Sequence, residues 1–457
     1  MELTQAQIAD LSRFEDPVQT FLNVYTFCRS RWSRIYNLLN QRELDYSRPA
    51  ADVLRALNRS LPPQLDWDND DQILIQAAAL THGLSQYIAE KYGRNLTAHR
   101  EPYRTSVSFG DLPHWLALVS PSPLTSSIPL RPRSLNQLHM TFQRRCHEQL
   151  LVTPARVEDG ELARVAANPQ IENFLERRVR GKSFRVAVSS LSQEADLSGE
   201  SRPRASLLPP HEFHLTSTGP VERQLEALQY VLKHAYERRA AILVLPELRM
   251  PPPLLEFARE FLRQQAITDE QGLLVVAAGS WHVAMPDGRR YNRCVVLRHD
   301  GEDLWSHDKL REYEITPENV KEHPETYRAI GVGPGGGVED IERGQTLQFY
   351  DSVIGRLAVA ICVGFFSPDV HQLLLSSASN LFLVPSMTTS NTDIRNCATL
   401  LVRAQHAYTL VANCGHVGAR VPSFCQWPSK GENIRELEAG KQLLTVDLRN
   451  ISRYDMD

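Results

Sequence analysis

Apolar residues follow two rhythms along this chain, and the change from one to the other divides it. From residue 17 to about 180 they recur at three- and four-residue spacing. Pro17-VQTFLNVYTFCRSRWSRIYNLLN carries that period, and Asp71-QILIQAAALTHGLSQYIAEKYG sustains it for about six turns. Both stretches predict amphipathic helices that pack on each other or on a partner. The interval Ser120-PSPLTSSIPLRPRS, rich in Pro, Ser and Thr, interrupts regular structure, and helical spacing resumes over Leu135–Leu151 and Asp159–Arg180.

After Ser183, short continuous apolar runs alternate with helical patterns. Phe184-RVAVS predicts a strand, Val221-ERQLEALQYVLKHAYERR a long helix, and Ala240-AILVLPEL a second strand. A helix over Pro253–Gln265, the strand Gly272-LLVVAAGSWH and the strand and turn Arg290-YNRCVVLRHDG follow. Then come the strand pair Gly344-QTLQFYDSVIGRLAVAIC, a helix over Val370–Ala378, the strand Asn380-LFLVPSM, a helix over Asp393–Tyr408 and the strands Thr409-LVANCG and Lys441-QLLTVDL. Near-continuous apolar strands alternating with helices predict an α/β layered domain over about 183–450. The chain thus reads as a mostly α-helical N-terminal domain, 1–182, followed by that α/β domain within 183–457. A length of 457 residues exceeds one ordinary core and agrees with two domains.

Composition removes several classes of function. Lys and Arg number 50 against 54 Asp and Glu, a net charge of -4, so nothing global points to nucleic acid or a membrane surface. The basic clusters Arg144-Arg145 and Glu176-RRVRGKSFR are interleaved with acids and apolar residues and read as solvated helix faces. The opening MELTQAQIADLSRFEDP lacks the basic-then-apolar layout of a signal peptide, and no apolar run reaches the length of a membrane span. Seven scattered cysteines, an odd number without paired metal spacing, predict free thiols and a cytoplasmic setting. His282, His307, His406 and His416 read as core or surface residues because no spacing pairs them on one helix face, so neither metal nor cofactor is expected. The Gly331-VGPGGGV run lacks the lysine of a phosphate loop. The insert that holds it, 319–338, is longer than a connection needs, and a lid is one reading of it.

The stretch Arg356-LAVAICVGFFSPD carries the first candidate for chemistry. Its apolar run ends in Cys362, Gly364 predicts a sharp turn, and Ser367-Pro368-Asp369 supplies an N-cap, a first-turn proline and a first-turn carboxylate to the next helix. A thiol facing a helix N-terminus lies where backbone dipoles favour the thiolate. Taken alone, a cysteine ending a core strand reads as a small hydrophobe. Its company changes that reading. Glu247 closes the run Ile242-LVLPE, and Lys309 follows the turn after the strand at 292–298. Separately, Glu247 reads as a cap for a helix near Pro251 and Lys309 as a surface lysine. Reactive groups in α/β sheets gather beyond the carboxyl ends of strands, and these three supply a base, a cation and a nucleophile there. Cys414 also lies near a strand end but has no such partner set.

In this order, Leu245-Pro-Glu247-Leu, His307-Asp-Lys309-Leu and Ala360-Ile-Cys362 resemble the Glu-Lys-Cys triad of the carbon–nitrogen hydrolase (nitrilase/amidase) superfamily. Phe184-RVAVS, the strand pair before Cys362, Leu383-VPSM and Val411-ANCG resemble other strands of that family, over about 183–450 and nowhere in the N-terminal half. The resemblance implies a nitrilase-like αββα sandwich, a homodimer or higher homo-oligomer, and a small-molecule amide or nitrile substrate. It implies a thiol hydrolase of non-peptide C–N bonds, an amidase before a nitrilase, working through a thioester. Glu247 would be the base, Cys362 the nucleophile, and Lys309 with the Val363 backbone N–H the holders of negative charge. Family members commonly carry a second glutamate after the lysine. Glu318, nine residues on, is preferred to Glu314, five on, and both also read as exposed loop carboxylates. The chain departs from the family pattern at Val363-Gly-Phe-Phe366, which predicts an apolar wall beside the nucleophile. Two other readings stay open: an acyl transferase, and a nitrilase-like scaffold, sensing or assembly module of a multi-component signalling or defence system, its helical half recruiting a protein partner.

Overall fold

The computed structural model describes residues 17–31, 34–35, 38, 47–59, 70–99, 104–109, 112–118, 150–154, 156–157, 160–180, 183–191, 197–204, 208–266, 272–352, 354–405, 407–414, 421–428 and 434–448. They form two compact units, Met1–Arg156 and Val157–Asp457. The unit boundary therefore falls about 26 residues earlier than the 182/183 division expected from the change of rhythm.

The first unit holds helices α1 (Pro17–Ser30), α2 (Ser47–Asn58) and α3 (Asp70–His99), with α1 and α2 both packed on α3. Phe21, Val24, Leu74, Ala77, Leu80 and Leu84 are fully buried, as their spacing requires. Gly83 sets how closely α2 approaches, because a Cβ there would lie 2.6 Å from Val53 Cγ1. The unit also holds an antiparallel sheet, β1 (Arg104–Phe109), β2 (Leu112–Leu118) and β3 (Leu150–Pro154). The expected helix over Leu135–Leu151 lies outside the described residues except at Leu150 and Leu151, which belong to β3. The expected break at 120–134 and the cluster Arg144-Arg145 lie outside them altogether.

In the second unit the period-two alternation of the strands builds two sheets back to back. One contains β6 (Arg185–Ser189), β9 (Ala240–Val244), β10 (Val275–Ala277), β11 (Trp281–Ala284), β12 (Arg290–Arg298), β13 (Asp303–Asp308) and β22 (Leu443–Asp447). Its order is β11-β12-β10-β9-β6-β22, with β13 also on β12. The other contains β4 (Arg156–Val157), β5 (Gly160–Arg164), β16 (Thr346–Ser352), β17 (Gly355–Val359), β18 (Leu381–Ser386), β19 (Tyr408–Asn413), β20 (Phe424–Gln426) and β21 (Ile434–Glu436), in the order β21-β20-β19-β18-β17-β16-β5-β4. The β6-β9-β10 and β17-β18-β19 cores are parallel.

Leu243, Leu245, Val276 and Leu297 face outward into a core shared with α5 (Val221–Glu237) and α6 (Pro252–Ala266). Phe349, Ala358, Phe382 and Val384 face outward on the other sheet, under α9 (Val363–Phe366), α10 (Pro368–Ser377) and α11 (Thr392–Gln405). The alternate residues, such as Ile242, Val244 and Leu383, are fully buried, and β9 meets β18 and β19 across the sheet interface. The layers run α, β, β, α, as expected. A smaller sheet, β14-β15-β8-β7, lies beside them: β7 (Ser198–Pro203), β8 (His211–Ser217), β14 (Glu314–Ile315) and β15 (Gly337–Glu339). Helices α7 (Pro317–Glu322) and α8 (Pro324–Ala329) connect β14 to β15, so the long insert is folded structure.

The expectation of a helix from Asp159 is corrected over its first residues. Gly160–Arg164 is β5, parallel to β16, and only Pro169–Arg180 is helix, α4. A single large apolar residue, Leu162, gives β5 no legible period. Sheet pairing and a buried ion pair hold it, with Arg164 Nε 2.8 Å from Asp351, which also accepts from Arg356 Nε at 2.6 Å. The Asn168 side chain accepts from the Gln170 and Ile171 N–H groups and starts α4, which buries Ile171, Leu175 and Val179.

Candidate active site

Three strand ends are stitched together by the backbone, and each holds one candidate side chain. Past β9, the Glu247 N–H donates to Ser386 O at the end of β18 (3.3 Å). The turn there is tight: Leu248 has φ 54°, and a Cβ at Gly279 (φ 60°) would lie 2.2 Å from Pro246 O. Past β13, the Lys309 N–H donates to Asn292 O (2.9 Å). Past β17, the Cys362 N–H donates to Pro385 O (2.9 Å). Cys362 itself makes the turn, with φ 45° and ψ -115°. Gly364, expected to supply it, is helical in α9 and meets only ordinary contacts. Holding a non-glycine residue in that conformation costs on the order of 1–3 kcal/mol, and it persists because the surroundings over-determine it.

The side chains converge in one cavity, lined by Glu247, Lys309, Glu339 and Cys362 among others. Lys309 Nζ donates to Glu247 Oε1 at 2.7 Å and to Glu339 Oε2 at 2.6 Å, and all three side chains are essentially out of water. Two carboxylates against one ammonium leave an excess negative charge, and neutral donors disperse it. Asn292 Nδ2 donates to Glu247 Oε1 (3.0 Å) and Glu339 Oε1 (2.7 Å), Met387 N–H to Glu247 Oε2 (3.0 Å) and Tyr313 N–H to Glu339 Oε2 (3.0 Å). His282 completes the set. Its Nδ1 accepts from the Leu215 N–H (2.9 Å), which leaves the proton on Nε2 to be donated to Glu339 Oε1 (2.9 Å).

Burial works against every charge here, and the partners decide which survive. For Lys309, burial pushes the pKa down, but Glu247 and Glu339 outweigh it and hold the amine above its usual range. For Glu339, burial pushes upward, and Lys309 and His282 hold the carboxyl well below the usual carboxylate range. Cys362 goes the other way. Burial, with Glu247 adding to it, pushes the thiol up to about 12 despite Lys309. The expected thiolate is thereby corrected: the group rests as a thiol, 4.0 Å from Met387 O and accepting from Ser386 Oγ at 3.6 Å.

Glu247, Lys309 and Cys362 are thus brought to one cavity, whereas Glu318 and Glu314 are not. Glu318 is exposed in the first turn of α7 and Glu314 is exposed on β14. The glutamate on Lys309 is Glu339, 30 residues on, at the end of β15. Sequence reading missed it because it follows a glycine-rich segment with no apolar run to mark a strand. Asn292 and His282 left a fainter signal: Asn292 occupies an inward position of β12, in phase with Cys294 and Val296. Val363, the expected oxyanion donor, opens α9, so its N–H has no intrahelical acceptor.

The expected apolar wall is also relocated. Phe365 packs on Phe382 in the outer core, and Val363 and Phe366 line a separate outer cavity, while the site's apolar wall comes from the small sheet and the insert. Cys414 is buried in an apolar cluster and does not line the site cavity; His307 is buried; His406 and His416 lie outside the described residues.

No family model and no curated protein matches the chain. Among solved structures it is similar to an amidase of the nitrilase superfamily from Nesterenkonia AN1. Identity is 20%, covering 60% of this chain and 93% of that one, with a TM-score of 0.38. It is also similar to Saccharomyces cerevisiae Nit3, a member of branch 10 of the nitrilase superfamily (15%, 60% and 92%, TM-score 0.39). A third is the glutamine-dependent NAD+ synthetase of Acinetobacter baumannii (16%, 58% and 45%, TM-score 0.38). Among the described residues no group of three or more His, Cys, Asp and Glu is arranged to hold a metal ion, and no helix is long and apolar enough to cross a membrane.

Proposed function

We propose that the chain is a thiol hydrolase of non-peptide carbon–nitrogen bonds, acting on small amides in preference to nitriles, with Cys362, Glu247 and Lys309 as its catalytic residues. The observation that carries this is a thiol kept neutral beside a carboxylate whose other valences are already taken. Glu247 Oε1 accepts from Lys309 and Asn292, and among the described residues Oε2 accepts only the Met387 N–H. A lone pair of Oε2 is thus left to receive the thiol proton. With the thiol pKa at about 12, attack needs that transfer to accompany it.

As Sγ bonds to the amide carbon, the proton passes to Glu247 and the carbonyl π pair moves to oxygen. Lys309 Nζ and the Val363 N–H hold that oxyanion, each such donor contributing on the order of 3 kcal/mol. Collapse breaks the C–N bond, and Glu247 returns the proton to the departing nitrogen, leaving a thioester. Water then gives a proton to Glu247 and adds to the thioester. The expelled sulfur recovers the proton and the acid leaves. A nitrile would pass through a thioimidate first. Glu339, Asn292 and His282 are positioning residues that fix the Lys309 ammonium and the Glu247 carboxylate. The test is ammonia release from a panel of amides by the purified chain, with hydroxylamine added to capture the acyl group as a hydroxamate. Cys362→Ala should abolish both products while leaving the far-ultraviolet dichroism unchanged; persistent ammonia release in that variant would defeat the proposal.

A further inference from the structure

β18 is buried along its whole length, and Leu381, Phe382, Leu383, Val384 and Pro385 are apolar. Its last residue, Ser386, is polar and fully buried. A buried hydroxyl ordinarily gives its proton to a backbone carbonyl, as Ser189 Oγ does to Gln442 O and Ser377 Oγ to Leu374 O, both at 2.7 Å. Ser386 does not. Its Oγ donates to Cys362 Sγ at 3.6 Å, and among the described residues no other side chain donates to that sulfur. A neutral thiol is a weak acceptor, so the hydroxyl is poorly satisfied while the site rests. A sulfur that carries charge is a strong acceptor, and a bond to it shortens and strengthens.

The segment around Ser386 holds both reacting groups. Pro385 O accepts from the Cys362 N–H (2.9 Å), Ser386 O accepts from the Glu247 N–H (3.3 Å), and the Met387 N–H donates to Glu247 Oε2 (3.0 Å). Ser386 is therefore fixed relative to both ends of the path the thiol proton takes. Lys309 is already engaged with Glu247 and Glu339. Burial and Glu247 push the thiol up, and Lys309, the Met387 backbone and Ser386 pull against them.

We propose that Ser386 is a further catalytic residue, its hydroxyl holding the negative charge that Sγ carries while the thiol proton is on Glu247. This rests on the hydrolase reading above. In acylation the S–H bond breaks, the proton passes to Glu247, and the electron pair left on sulfur becomes the C–S bond. In release that pair returns to sulfur and the proton follows from Glu247. Sulfur is charged in both passages, and the Ser386 O–H donates to it in both.

The experiment replaces Ser386 by alanine in the full chain. Ser386→Ala should lower kcat for ammonia release by about tenfold with KM within about twofold. Alkylation of Cys362 by iodoacetamide at one fixed pH, read by peptide mass, should slow by about threefold or more, a smaller effect because sulfur keeps only part of its charge in that attack. The Tm should be unchanged or higher, since the resting bond to a neutral thiol is weak. Ser377→Ala is the control. It removes a buried hydroxyl outside the site cavity that is bonded to a carbonyl, so it should lower the Tm and leave both rates unchanged. A fall of less than about threefold in either rate overturns the inference. A Ser386→Ala chain that fails to fold overturns it as well, because the hydroxyl is then structural. Should no amide release ammonia from the unaltered chain, the hydrolase reading fails by itself, and the alkylation rates alone decide whether Ser386 activates the sulfur.

Discussion

A thiol at about 12 sits beside a carboxylate, and that contrast organises the chemistry at the scale of single residues. Cys28, Cys294, Cys397 and Cys425 are pushed as high by burial, so a low pKa cannot single out Cys362. A base within its cavity can. Glu247→Gln should therefore lower kcat by about 10²–10⁴-fold with the protein still folded, as measured by initial rates of ammonia release. Asn292→Ala removes a donor shared by two carboxylates. A hydrogen bond to a charged group is worth about 1.5–3 kcal/mol, so kcat/KM should fall about ten- to a hundredfold, and Asn292→Ser should recover part of it. His307 lies under the same strand end with both ring nitrogens unpaired, and burial pushes it down to about 4. Its folded pKa lies below its unfolded value of about 6.5. Its contribution is thus complete above pH 6.5 and is lost as pH falls toward 4, on the order of 3 kcal/mol in all. The Tm should drop between pH 7 and 5, and His307→Phe should remove that part of the drop. Glu247 and Cys362 stood out because each ends an apolar run, and Lys309 because it follows the turn after one. Glu339, Asn292 and His282 did not, because their role depends on which strands lie side by side, which no local pattern records.

At the scale of elements, the site depends on turns whose backbone has no slack. Gly279 at φ 60° leaves no room for a Cβ, which would fall 2.2 Å from Pro246 O, and Pro246 is a backbone neighbour of Glu247. Backbone cannot yield as a flexible side chain can. Gly279→Ala should therefore lower the Tm by several degrees, about 1–3 kcal/mol, and should reduce kcat more than KM, since Glu247 moves while the apolar wall stays. By contrast Gly364→Ala, with its nearest contact at 3.5 Å, should leave both unchanged. The sequence pattern points to the opposite ranking, because a glycine just after Cys362 is the evident turn residue. What it lacks is the φ of Cys362, 45°, in a residue whose N–H is held by Pro385 O. Strands with continuous apolar runs, such as Ala240–Val244 and Leu381–Ser386, were legible at once. The two-residue β14 and three-residue β15 were hidden at the two ends of the insert, whose length suggested a lid; they pair with each other, β15 pairs with β8, and Ile315 and Glu339 line the cavity.

For the whole molecule, the place where the α/β unit begins is a physical question with a sharp answer. β5 pairs with β16 in parallel register from Thr346↔Glu161 to Phe349↔Arg164, and Arg164 joins Asp351 and Arg356 in a buried ion group. Asn168 N–H donates to Tyr350 OH (3.2 Å), and Arg178 donates to Gly272 O (3.0 Å), tying α4 to both sheets. A boundary at 182/183, where the hydrophobic rhythm changes, would strip these away, bare an edge of the sheet and leave Asp351 with one arginine, Arg356, in place of two. A chain starting at Val157 should therefore be soluble and cooperatively folded, with a Tm within a few degrees of that of the second unit in the full protein. One starting at Ser183 should aggregate or melt at least about 10 °C lower, since it bares an edge of the sheet and removes the helix packed beside it, while Asp351 keeps Arg356. Single Arg164→Met and Asp351→Leu substitutions separate the two effects, because the first spares the strand. If the pair matters less than the strand, Arg164→Met should lose only a fraction of the stability lost with residues 157–182. Equal stability of the two truncated chains, by calorimetry at matched concentration, would place the boundary back at the change of rhythm.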